Sequence, residues 1–80
     1  MTVFDKFMEM IKQSWTWARL TDDERFRVSD LLEHCYNYKK LLSRSESKQY
    51  EMLHLIYNAF LEGCGYQPFG WREDKVSIND

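Results

Sequence analysis

The chain has 80 residues, 44% of them hydrophobic and 16% aromatic, and a formal net charge of −2. That length makes one domain, and so small a charge does not imply strong steering of nucleic acid or of a basic partner. Asp5, Lys6, Glu9 and Lys12 interrupt any apolar leader, and no run is long or uncharged enough to span a bilayer. No membrane partner is expected, and the cytoplasm is the expected location.

Thr2 followed by Asp5 reads as a helix start, with a hydroxyl to cap free amides and a carboxylate at the positive end of the helix dipole. Phe4, Phe7, Met8, Ile11, Trp15 and Ala18 then recur at helical spacing, with Val3, Met10 and Trp17 as a second strip beside them. Asp5, Glu9, Lys12, Gln13 and Thr16 fill the opposite face. The pattern predicts one amphipathic helix over residues 3–18.

Thr21-Asp22-Asp23-Glu24 is the strongest local signal. Thr21 can cap the amide of Glu24, and Glu24 can reach back to Thr21. A second helix is expected over 22–42, burying Val28, Leu31, Leu32, Cys35, Tyr38 and Leu42, with Phe26 and Tyr36 off that stripe. Ser43 to Ser47 holds no apolar residue and reads as a turn, with the next helix starting near Ser45.

That third helix, over 46–62, is apolar round most of its circumference. At about 100° per residue, Leu53, Ile56, Tyr57 and Phe60 form the centre of its face. Only Glu51, His54, Asn58 and Glu62 remain for water. Such a helix needs more than one neighbour, so it is the expected core, with Leu53, Ile56 and Phe60 almost inaccessible. Gly63 is expected to close it in the left-handed conformation. Residues 63–72 then hold three glycines, one proline and the aromatics Tyr66, Phe69 and Trp71. They read as an ordered aromatic loop over the end of the bundle, followed by a polar tail over 73–80. The expected fold is all-α: a three-helix up-down-up bundle forming one domain over 1–72, with the aromatic C-terminal loop packed over one end.

No motif for catalysis emerges. His34, Cys35, His54 and Cys64 are the right types for zinc, but no paired spacing holds them. Cys64 sits at a helix C-terminus, the wrong end to activate a thiol, and two cysteines are not a disulfide framework. Gly63, Gly65 and Gly70 lack the strand–loop–helix context of a phosphate loop. Asp30 and Glu33 share one face of the second helix and read as a solvated face. No enzyme activity and no cofactor are expected.

Two surfaces suggest binding. Lys39, Lys40, Arg44 and Lys48 cluster round the second turn and can hold phosphates. The helix that follows would read bases with Glu51, His54, Asn58 and Glu62, which puts acid where donors are needed, so nucleic acid is the weaker partner. Trp71 and Arg72 in the loop, and Trp17 and Met10 on the first helix, are residue types suited to a protein interface. The expected function is a non-enzymatic module that binds a larger protein as an inhibitor or adaptor. One concrete form is a phage-borne inhibitor of a host nucleic-acid enzyme, of the anti-CRISPR type. The alternatives are a nucleic-acid-binding transcriptional regulator using the basic turn, and a structural homodimer.

Overall fold

A computed structural model of the chain describes residues 2–38 and 41–70. Every regular element among them is helical: α1 (Val3–Lys12), α2 (Trp15–Arg19), α3 (Asp22–Tyr38), a 3₁₀ turn (Leu41–Ser43) and α4 (Glu46–Gly63). No helix among the described residues is long and apolar enough to cross a membrane. Cys35 and Cys64 are free thiols, both half-buried.

The three expected helix starts all form. Thr2 accepts from the Asp5 amide at 3.1 Å while Asp5 accepts from the Thr2 amide. Thr21 and Glu24 make the same reciprocal pair at 3.2 and 2.9 Å. Ser45 caps α4 by accepting from the Lys48 amide. Each supplies acceptors to amides that a helix N-terminus leaves open.

The single helix expected over 3–18 is instead two. Ser14 takes extended backbone, φ −94° and ψ 160°, and caps α2 by accepting from the Trp17 amide. Its own hydroxyl donates to the Ile11 carbonyl at 2.6 Å. A serine that satisfies backbone groups on both sides offers the chain an alternative to continuing the helix. The break reverses the faces beyond it. Thr16, expected among the polar residues, is buried, and Trp15, expected in the core, is 50% exposed. Arg25 then closes α2 from outside, donating to the carbonyls of Trp17 and Ala18.

Each long helix buries a row spaced by four: Val3, Phe7 and Ile11 on α1; Val28, Leu32 and Tyr36 on α3; Gln49, Leu53, Tyr57 and Leu61 on α4. These rows differ in part from those expected. On α3, Tyr36 is buried because its hydroxyl finds an acceptor, the Gln49 carbonyl oxygen at 2.9 Å, while the Gln49 amide donates to Arg44 O. Leu31 and Tyr38, expected inside, are exposed. Leu42 is exposed because the chain has tightened to three residues per turn, which sends Leu41 inward and its neighbour out. On α4, Leu53 is inaccessible as expected, but Tyr57 and Leu61 join it instead of Ile56 and Phe60, which are half-buried.

Helix α4 closes beyond Gly63. Gly65 takes φ +85°. The Gly65 amide donates to Glu62 O at 3.0 Å and the Tyr66 amide to Leu61 O at 2.9 Å, the paired bonds of a Schellman close. Tyr66 then donates its hydroxyl to Glu24 Oε1 at 2.9 Å. The Thr21 amide and this hydroxyl together hold the Glu24 carboxyl below the usual carboxylate range. Donation to Glu24 raises the Tyr66 hydroxyl above its ordinary value. Phe69 is buried against Tyr57 and His54, ring centroids 5.7 and 5.5 Å away.

Candidate protein-interaction groove

With its central row committed to the core, α1 has a second row of four-residue spacing, Phe4, Met8 and Lys12, beside it. Phe4 meets Tyr36 of α3, ring centroids 5.4 Å apart. Outside that contact an open groove of about 490 Å³ runs between the two helices. Phe4 and Met8 contribute apolar surface from α1, and Phe26 contributes it from α3. Phe26 is 73% exposed, although burying a phenylalanine is worth roughly 1.5–3 kcal/mol. A single exposed apolar residue is ordinary, but this one stands beside the half-buried Phe4 and the core residue Met8 in one concave site.

The polar groups lining this groove are mostly acidic. Asp5 and Glu9 line it from α1, and Asp30 and Glu33 from α3. Against four carboxylates stands one ammonium, Lys12. Asp5 is engaged by the Thr2 amide. Glu9, Asp30, Glu33 and Lys12 make no ion pair among the described residues. The described residues contain no group of three or more His, Cys, Asp or Glu able to hold a metal ion.

The residues singled out from sequence lie elsewhere. Met10 and Trp17 are half-buried and pack against the core. Met10 also lines a separate cavity of about 400 Å³ with Tyr50 and His54. Arg44 and Lys48 do come together, with Leu41 and Met52, round a small cavity of about 150 Å³. Lys48 is already bridged to Glu51 at 3.3 Å. Lys39, Lys40, Trp71, Arg72 and the 73–80 tail lie outside the described residues.

Two polar residues of α4 have taken a structural task. Asn58 accepts from the Phe69 amide at 2.7 Å and donates to the Phe69 carbonyl at 3.3 Å. His54 Nε2 stands 2.7 Å from the same carbonyl. The Asn58 side-chain nitrogen lies 3.1 Å from the same His54 atom. On its other flank α4 leaves a mixed apolar band, with Leu55 59% exposed, Ala59 exposed, and Met52 and Ile56 half-buried.

The groove left traces in the sequence that periodicity alone does not join. Phe26 falls off the buried stripe, and Asp30 and Glu33 share a face. What brings them opposite Phe4, Met8 and Glu9 is the pairing of α1 with α3, a tertiary fact. Comparison with known protein families, with curated proteins and with solved structures finds no match to this chain.

Proposed function

We propose that this chain is a non-enzymatic protein-binding module that acts by occupying a surface of a larger protein, as an inhibitor or adaptor. The observation that carries this reading is the groove between α1 and α3, where Phe4, Met8 and an outward Phe26 lie among carboxylates that make no ion pair among the described residues. Concave apolar surface with a polar rim is the usual anatomy of a protein interface. The reading takes α1 with α2, α3 and α4 as three layers running up, down and up, with the 64–70 loop across one end. Two free thiols fit a reducing compartment such as the cytoplasm. Acidic rims suit the basic surfaces of enzymes that handle nucleic acid. A phage-borne inhibitor of such an enzyme, of the anti-CRISPR type, is the concrete form proposed.

The test is a pull-down from the native host with the parent, Phe26→Asp and Leu55→Asp. Both substituted side chains are largely exposed, so both variants are expected to melt near the parent. Phe26→Asp should weaken capture by about 2 kcal/mol or more, as loss of an interface hot spot does, while Leu55→Asp should retain it. Capture that survives Phe26→Asp and vanishes in Leu55→Asp would move the binding surface to the α4 band and sink the groove.

A further inference from the structure

Building on the groove reading, we infer that its occupant is a basic amphipathic helix of the partner protein. The shape argues for a helix. The site lies between two helices whose lining residues follow helical spacing, Phe4, Met8 and Lys12 on one wall and Phe26, Asp30 and Glu33 on the other. A third helix laid between such walls presents apolar residues at i, i+3, i+4 and i+7 to the floor. The charge argues for a basic one. Asp5 and Glu9 stand on the α1 wall and Asp30 and Glu33 on the α3 wall. A helix seated between them therefore meets carboxylates on both flanks. Among the described residues Glu9, Asp30 and Glu33 make no ion pair, so lysine or arginine on each flank of the incoming helix gains partners without breaking any pair seen there. An acidic helix would face like charge on both sides, which costs specificity-setting repulsion.

The test titrates the full chain with two synthetic helix-forming peptides that share one leucine stripe, one with lysine flanks and one with glutamate flanks, and follows side-chain resonances of Phe4, Met8 and Phe26. The lysine peptide is expected to shift all three and to bind less tightly as salt rises. The Asp30→Asn, Glu33→Gln double variant, altered only at exposed positions, should bind it roughly 3- to 10-fold more weakly, the effect expected for two exposed ion pairs. If the two peptides bind alike, the groove stands as a docking site and its selection for a basic helix is wrong. If neither moves these resonances, the inference and the groove reading fall together.

Discussion

Three hydroxyls inside the protein are ordered in one direction. Ser14 spends its only proton on the Ile11 carbonyl, so toward Thr16, at 2.9 Å, it can only accept. Thr16 must then donate to Ser14, and toward Tyr57, at 3.0 Å, it can only accept. The order runs from Tyr57 through Thr16 to Ser14. The two ends are therefore unequal. Tyr57→Phe removes a donor and leaves the Thr16 proton placed, so it should cost about 0.5–1.5 kcal/mol. Ser14→Ala removes the acceptor that Thr16 needs and also the cap of α2, and should cost about 1–3 kcal/mol. Urea unfolding of both variants decides, and a larger loss in Tyr57→Phe would refute this order. None of it was legible in sequence, where the spacing of one helix over 3–18 puts Thr16 on the polar face with Asp5, Glu9, Lys12 and Gln13. A lone serine inside an apolar-periodic run is a weak sign of a break, because serines also sit in helices.

The three long helices begin where their sequences say. Thr2 with Asp5, Thr21 with Glu24, and Ser45 each supply side-chain acceptors within one turn, a local rule that needs no knowledge of the rest of the chain. Endings are harder. Gly63 and Gly65 both offer a left-handed residue, and the helix takes the later one because its bonds, Gly65 to Glu62 and Tyr66 to Leu61, bring Tyr66 to Glu24. The two glycines should respond oppositely to alanine. Nothing lies within 4 Å of a Cβ at either, so only the backbone decides. Gly65→Ala forces a side chain into positive φ and should destabilise by about 1–2 kcal/mol. Gly63→Ala adds a better helix former to the last turn of α4 and should stabilise by about 0.5–1 kcal/mol. Thermal melts of both will show it, and a reversed sign would return the close to Gly63.

Across the whole molecule, periodicity told which half of each helix is apolar and left open which row within that half lies deepest. On α4 the apolar arc is so wide that several rows qualify, and the neighbours chose Leu53, Tyr57 and Leu61. The surplus of aromatics divides for the same reason. Phe7, Tyr36, Tyr57 and Phe69 are buried, while Trp15, Phe26 and Tyr38 face outward. Both buried tyrosines have partners for their hydroxyls, Gln49 for Tyr36 and Thr16 for Tyr57. Those partners lie 13 and 41 residues away, beyond the reach of any helical window. The groove was hidden likewise, since its two walls are far apart in sequence.

One carboxylate oxygen has two commitments. Glu24 Oε1 accepts both the Thr21 amide that starts α3 and the hydroxyl of Tyr66, 42 residues on. Fraying of the first turn of α3 therefore frees the Tyr66 hydroxyl in the same event, which couples local opening there to local opening at Tyr66. Because the Glu24 value is lowered by folding, its contribution is complete above the ordinary carboxylate range and is lost as pH falls through the lowered value. Amide hydrogen exchange at descending pH, corrected for intrinsic rates, should show the amides of Glu24 and Tyr66 losing protection together. Tyr66→Phe should separate them, leaving the α3 amide to respond to acid while the other no longer does.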